Sequence, residues 1–338
     1  MQIQTDILLN QYTTMRLGGV AKHLVVVHTA DELREAVEWA LAQNLPWLVL
    51  GGGSNVIFKD GYTGLVIVNR INGFEILSDN AMTTLLRIGS GEDWDSVVAR
   101  TVAMDLIGIE ALSAIPGTAG ATPVQNVGAY GQEIADTLVE LQAYDLQTHQ
   151  FVVLDKAACG FSYRDSIFKS PENRRYLIVS IILQLHRGNP MPPFYDSLQR
   201  YLAEHNITSY TPKIIRDAVI AIRAEKLPDP SVIANTGSFF KNPIISREEF
   251  APIIAKHPRI PFYETADKRI KLLAGWLIDQ TGLKGYTNHG MKIYDKNALV
   301  FVNESAKNYD DLAAFRQEII DKVREQFSVT LEQEPELI

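Results

Sequence analysis

Three short stretches carry residue types that bind or react, and each poses a chemical question. In "LGGGSNV" (Leu50–Val56), Gly51, Gly52 and Gly53 follow an apolar run and expose successive backbone N–H groups, which suits a pyrophosphate. Ser54 and Asn55 add polar contacts. No GK[ST] follows, so the stretch is not a P-loop. Val56, Ile57 and Phe58 read as a strand and not as a helix N-terminus, so it is not the Rossmann fingerprint either. By itself it reads as a turn between two strands. The second stretch, "IPGTAGATPVQNVGAYG" (Ile115–Gly131), is long and built of small residues. The backbone of Gly117, Gly120, Ala121, Gly128 and Ala129 can approach a flat ring or a phosphate, with Thr118, Thr122, Gln125 and Asn126 as polar groups. Val124, Val127 and Tyr130 look packed, which favours a cofactor surface over a linker. The third, "NTGSFFKNP" (Asn235–Pro243), leaves two readings of Ser238: a turn residue ahead of an apolar pair, or a hydroxyl presented to a ligand.

The elements that must hold these stretches follow from periodicity. His23–His28 reads as a buried strand. Thr29 and Glu32 form a capping box for a helix whose Leu33, Ala36, Val37, Ala40 and Leu41 share one face. "GLVIVN" and "TTLLRIGSG" are strands, and Trp94–Leu106 is a helix with Trp94, Val97, Val98 and Thr101 inward. Strands follow near Val139–Asp145 and Tyr176–Leu185. Three prolines within residues 190–193 mark the clearest break. Beyond it the pattern predicts helices at Asp217–Ala224 and Lys268–Thr281, the second stopped by Gly282, a strand near Leu299–Asn303, and an amphipathic helix at Asp310–Gln326. The class is α+β. The expected organisation is residues 1–70 and 71–222 packed together, with 223–338 added as a third unit.

Composition narrows the function. The chain has 338 residues, 46% of them hydrophobic, which is enough for a sizeable core. Its net charge of −8, without any basic run, argues against a nucleic-acid partner. Seven histidines without an HExxH pairing and a single cysteine, Cys159, predict neither a structural metal nor a disulfide framework. The first residues lack a basic stretch leading into an apolar one, and the longest apolar stretch, Leu177–Leu185, is too short to cross a bilayer. A cytoplasmic protein with no membrane partner is expected.

Two glycine-rich segments in adjacent small units suggest a dinucleotide held between them. In that setting "RLGG", "LGGGSNV", "IPGTAGATPVQNVGAYG", "YRDSIFK", "KLPDP", "GSFFKNP", "AGWLIDQTGLKG" and a terminal LExE occur in the order expected of the UDP-N-acetylenolpyruvoylglucosamine reductase family, and the chain resembles that family over essentially its whole length. The resemblance implies a two-part FAD-binding domain of the vanillyl-alcohol-oxidase (PCMH) type and a C-terminal substrate-binding domain. It also implies NADPH as reductant and UDP-N-acetylglucosamine enolpyruvate as the substrate reduced, in peptidoglycan precursor synthesis. The two glycine-rich segments, from Gly51–Asn55 and from Gly117–Tyr130, would hold the flavin. Neither contains a histidine or cysteine to tether it covalently, which disfavours an alcohol-oxidising flavoenzyme of the same fold.

The family reaction places negative charge on the α-carbon and carboxylate of the enolpyruvyl group, so it needs a carboxylate clamp and a proton donor. By resemblance Arg164 is the clamp, its planar fork matched to a carboxylate, and Tyr163 lines the same pocket. Ser238 is the general acid. Glu334, the second glutamate of LExE, assists at the enolate, with Glu336 as its rival. Glu332, Glu334 and Glu336 alternate and would share one face of a straight strand, unless Pro335 breaks that register. Lys226, Lys271 and Lys284 are expected to meet the diphosphate, together with Asn242. Arg223 is a further cofactor or substrate contact. Tyr195 falls where one branch of the family carries a loop tyrosine that closes over the substrate. A monomer is expected, and a non-catalytic nucleotide-binding protein is the remaining alternative.

Overall fold

The computed structural model describes residues 1–170 and 175–338. They form two compact units. The first comprises Met1–Ile7, Ala21–Gly52 and Thr63–Ala224; the second comprises Leu8–Val20, Gly53–Tyr62 and Glu225–Ile338. The boundary thus falls inside the first glycine run.

In the first unit a four-stranded sheet runs in the order Gln4–Leu8, Val20–Val27, Gly61–Asn69, Trp47–Leu50, with the last two strands parallel. The helix Ala30–Ala42 is capped by Thr29, whose side chain accepts from Glu32 N–H. Glu32 returns the bond to His28 N–H at 2.7 Å. Leu33, Ala36, Val37 and Ala40 are buried with Val25, Val27, Leu65 and Ile67, while Leu41 turns outward at 42% exposure. Leu41 follows Ala40 directly, and about 100° per residue carries it off the apolar stripe.

A second sheet of this unit is antiparallel and six-stranded. Its main path is Gln150–Asp155, Leu138–Asp145, Tyr176–Arg187, Thr83–Gly89, Phe74–Asp79, and Leu106–Ile107 pairs with Tyr176–Arg187 off that path. The helix Trp94–Ala103, capped by Asp93, buries Trp94, Val97, Val98, Thr101 and Val102. It is shorter than its periodicity predicts because Leu106 joins the sheet edge. The helices Asp196–Glu204 and Pro212–Lys226 build a small core from Leu198, Leu202, Ile215, Val219 and Ile222.

In the second unit, strands Asn235–Ser238, Val300–Asn303, Met291–Ile293 and Thr287–Asn288 make an antiparallel sheet. A three-stranded sheet of Ile244–Ile245, Ile270–Leu272 and Phe262–Glu264 lies in the same unit. The expected helix from Lys268 therefore begins only at Ala274 and runs to Gln280. Ile270 and Leu272 are buried on either side of Lys271, a period of two that the sheet captures. Gly282, at φ +74°, ends the helix region as expected. The helix Tyr309–Phe327 lays Leu312, Phe315, Ile319, Val323 and Phe327 into the core. Among the described residues no helix is long and apolar enough to cross a membrane.

Candidate active site

In the first unit the two glycine-bearing stretches meet backbone to backbone. A Cβ on Gly52 would stand 2.8 Å from Gly117 Cα, and one on Gly51 would collide with the Thr118 hydroxyl. Glycine is required here because the two chains touch, leaving no room for a side chain between them. The second stretch is pinned by main-chain bonds from Ala119 N–H to Glu92 O and from Gly120 N–H to Ser90 O, both 2.9 Å, before a single 3-10 turn at Ala119–Ala121. Asn126 is 1% exposed, and its side chain is spent internally, donating to Ser162 O at 3.1 Å and accepting from Ala135 N–H at 3.1 Å.

The same bond carries the Tyr163–Arg164 turn onto the loop. Ser162 and Asp165 close the turn, Ser166 Oγ donates to Val124 O at 2.6 Å, and Lys169 Nζ donates to Arg164 O at 3.2 Å. Arg164 takes a left-handed backbone (φ +56°), and its Nη1 would lie 3.4 Å from a Cβ on Gly128. Its guanidinium also sits 5.3 Å from the Tyr163 ring. The carboxylate-binding candidate and the flavin-loop candidate are thereby side by side.

Both ends of the loop are held by the helix Pro212–Lys226. Arg216 grips Asp95 through two bonds of 2.6 and 2.9 Å, and Asp95 also accepts from Ala114 N–H at 2.6 Å. Burial raises the Asp95 pKa, but Arg216, the Ala114 N–H and the charge of Arg223 outweigh it and hold the carboxyl below its usual value. Arg223 Nε donates to Ala114 O at 3.2 Å, and its guanidinium hydrogen-bonds the Tyr130 phenol. Burial pulls Arg223 below the usual arginine pKa and pushes Tyr130 up. Two arginines thus face one carboxylate, leaving positive charge at the loop, and this fits an anionic diphosphate group. Tyr130 meets Tyr195 edge to face, ring centroids 6.0 Å apart. Tyr195 itself is exposed at the start of the helix Asp196–Glu204.

In the second unit the "NTGSFFKNP" segment is anchored from both ends. Phe239 and Phe240 are buried with Phe301 and Phe315; the Phe239 and Phe301 rings stack at 4.4 Å. Upstream, Asn235 is 2% exposed and fully used. Its Nδ2 donates to Ile233 O at 2.7 Å and to Pro228 O at 3.1 Å, while Oδ1 accepts from Gly237 N–H at 2.8 Å. Gly237 adopts φ +70° with open space where a Cβ would stand. Ser238 is half-buried between this open glycine and the aromatic anchor.

The C-terminal residues run antiparallel to that segment. Lys241 N–H donates to Glu332 O and Glu334 N–H donates to Phe239 O, both at 2.9 Å, with Phe240 opposite Gln333. Glu334 is therefore bonded to the residue next to Ser238. Glu336 instead pairs with Val56, and its N–H donates to Asn55 O at 2.9 Å. The three glutamates do not share a straight strand, because the chain changes partner at Pro335. Glu332 is taken by an ion pair with Lys241.

The remaining candidates scatter over this unit. Asn242 Oδ1 accepts from Ala274 N–H at 3.0 Å, which fixes the amide and turns its Nδ2 the other way. Lys271 sits centrally in the three-stranded sheet opposite Ile244 and Tyr263. Lys284 is exposed, 3.7 Å from Asp279, and Lys226 is exposed at the end of its helix. Gly53, Ser54 and Asn55 also belong to this unit. Sequence reasoning passes over Asn235, Asp95 and Arg216. Asn235 stands in the quoted stretch, but nothing in its type separates a hub from a turn residue, and Asp95 and Arg216 are 121 positions apart.

Comparison with known proteins identifies what these stretches are similar to. Residues 21–152 match the model of an FAD binding domain, and residues 229–338 match that of the UDP-N-acetylenolpyruvoylglucosamine reductase C-terminal domain. The UDP-N-acetylenolpyruvoylglucosamine reductase of Ralstonia nicotianae is 42% identical over 334 residues, 98% of this chain and 97% of its own. That of Neisseria gonorrhoeae is 41% identical over 336 residues, 99% and 96% of the two chains. Among solved structures, the UDP-N-acetylenolpyruvylglucosamine reductase of Thermus caldophilus shares the fold, with TM-score 0.69, 24% identity, and 100% and 99% of the two chains covered.

Proposed function

The chain belongs to the UDP-N-acetylenolpyruvoylglucosamine reductase family, and on that premise we propose how its own residues divide the reaction. It is an FAD-dependent oxidoreductase that consumes NADPH and reduces UDP-N-acetylglucosamine enolpyruvate to UDP-N-acetylmuramate in peptidoglycan precursor synthesis. When bound, the flavin supplies the hydride that reaches the enolpyruvyl β-carbon.

The first unit's share is binding. The main chains of Gly51, Gly52, Gly117, Thr118, Gly120, Ala121, Gln125, Gly128 and Ala129 form the flavin surface, with the positive charge at Arg223 and the ring of Tyr130 beside it. Arg164 grips the substrate carboxylate, and Tyr163 flanks it. Because a guanidinium stays charged at any working pH, the carboxylate remains ionised and the negative charge that builds toward it is stabilised.

The second unit's share is the proton. Ser238 Oγ gives its proton to the α-carbon as the carbanion collapses, and a weakly acidic hydroxyl suffices because a carbon enolate is strongly basic. Glu334 supports that transfer from the neighbouring strand. The carrying observation is the pairing of Glu334 N–H with Phe239 O, which ties the proposed acid and the proposed carboxylate into one ribbon. Lys226, Lys271, Lys284 and the Nδ2 of Asn242 meet the sugar nucleotide, and Gly53, Ser54 and Asn55 complete the flavin turn. Functionally the chain divides at 1–70, 71–222 and 223–338, and it works as a cytoplasmic monomer.

Stopped-flow half-reactions test this. Ser238→Ala should leave flavin reduction by NADPH within about twofold of wild type and slow reoxidation by UDP-N-acetylglucosamine enolpyruvate at least ~100-fold. Equal losses in the two halves would remove Ser238 from the role.

A further inference from the structure

The C-terminal tail has an unusual mechanical problem. It pairs first with Phe239–Lys241 and then, within two residues, with Val56–Ile57, so its partner changes at Glu334–Pro335. Glu334 N–H and Glu336 N–H, on either side of the change, donate to Phe239 O and Asn55 O, both at 2.9 Å, and Pro335 between them has no N–H to give. A side chain also spans it. Gln333 Nε2 donates to Pro335 O at 2.7 Å, bridging the change of partner. The same amide accepts at Oε1 from Arg316 Nη1, at 2.8 Å.

Arg316 projects from the long helix Tyr309–Phe327, whose Leu312, Phe315 and Ile319 are locked in the core. Its guanidinium lies 6.0 Å from the Tyr309 ring, and its Nε is buried without a hydrogen-bond partner among the described residues. The charged Nη1–H···O bond to Gln333 therefore connects the long helix to the point where the tail changes partner. An amide that accepts from a cation at one end becomes a better donor at the other, which stiffens the link to Pro335.

We propose that Arg316, acting through Gln333, is a positioning residue for Glu334. It does not touch the reacting atoms. It fixes the crossover in which the Glu334 carboxylate starts, and so sets that carboxylate's direction relative to Ser238. The inference rests on the reading that Glu334 takes part in the proton step.

The test uses full-length holoenzyme and separates the half-reactions. Arg316→Met and, independently, Gln333→Ala should keep flavin reduction by NADPH within about twofold while slowing substrate-driven reoxidation about tenfold, since misplacement of a catalytic group by a fraction of an ångström has costs of that order. The pH dependence of the reoxidation rate should shift in both variants, a readout that looser packing would not move. Arg316→Lys, which keeps one charged donor, should recover part of the rate. The double variant should be no slower than the slower single one, because the two residues act as one link. Equal losses in both half-reactions, an unshifted pH profile, or additive losses would overturn the inference. Glu334→Gln in the same assay separates the two claims. If it leaves reoxidation unchanged, the reading of Glu334 fails; if it cripples reoxidation while Arg316→Met and Gln333→Ala do not, only the positioning role fails.

Discussion

Asn235→Asp is a nearly isosteric change whose consequences follow from three hydrogen bonds. The wild-type amide donates to Pro228 O and Ile233 O and accepts from Gly237 N–H. An ionised carboxylate keeps the acceptor role and loses both donors, placing negative charge against two carbonyl oxygens at 3.1 and 2.7 Å. Two lost bonds of about 1 kcal/mol each, plus the cost of the unpaired Pro228 carbonyl, give a loss of about 3–4 kcal/mol at pH 7. In a unit of this size that corresponds to a fall in Tm of ~10 °C. Protonation restores one donor, so the folded-state pKa of the introduced carboxyl must lie above the unfolded value of about 3.9. A raised carboxyl pKa contributes stability at low pH that is lost as pH rises through the folded pKa. The gap in Tm between variant and wild type should therefore be smallest near pH 4 and grow toward pH 7. Calorimetry at several pH values measures it, and stopped-flow reoxidation should fall with it because Gly237 and Ser238 lose their anchor. A pH-independent gap, or a variant as stable as wild type at pH 7, would refute the donor assignment.

Three further outcomes are expected. Gly52→Ala must push against Gly117 main chain, 2.8 Å away, so the purified variant should carry less flavin, read as a lower ratio of flavin to protein absorbance. Asp95→Asn removes a carboxylate whose pKa is held down chiefly by Arg216 against the opposing effect of burial. A depressed pKa contributes stability present at neutral pH and lost as pH falls through the folded value, so the variant's stability deficit at pH 7, about 1 kcal/mol after solvent screening, should close below pH 3.8 in calorimetry. Burial, helped by Asp155, pushes the Cys159 thiol up to about 11. The native protein should thus resist thiol reagents near neutral pH and take up one equivalent on unfolding, whereas labelling of the native protein would contradict the buried setting.

How far the sequence discloses this molecule depends on the range of the forces involved. Periodicity and capping are local, so the helix after Thr29, the buried face of Trp94–Thr101 and the long helix at residue 309 are all legible. Lys268–Leu272 misleads because its alternation is short and its decision lies with strands at Ile244 and Phe262, which no local window contains. Site chemistry divides the same way. Glycines that permit close approach advertise themselves, and ordered motifs carry the family. The groups that hold the site do not: Asp95 meets Arg216 across 121 positions, and Gln333 meets Arg316 across 17. Such pairs have ordinary surface composition and become functional only through the fold. The tail makes the point most sharply. Three alternating glutamates invite a single-face reading, yet Pro335 cannot donate to a ladder, and the chain uses that missing N–H to change partners. The Glu332 carboxylate then pairs with Lys241, the main chain of Glu336 with the strand at Val56, and the main chain of Glu334 with Phe239, the residue after Ser238. What distinguishes the three positions is thus the segment that each one's main chain pairs with, and residue type gives no ground for choosing among them.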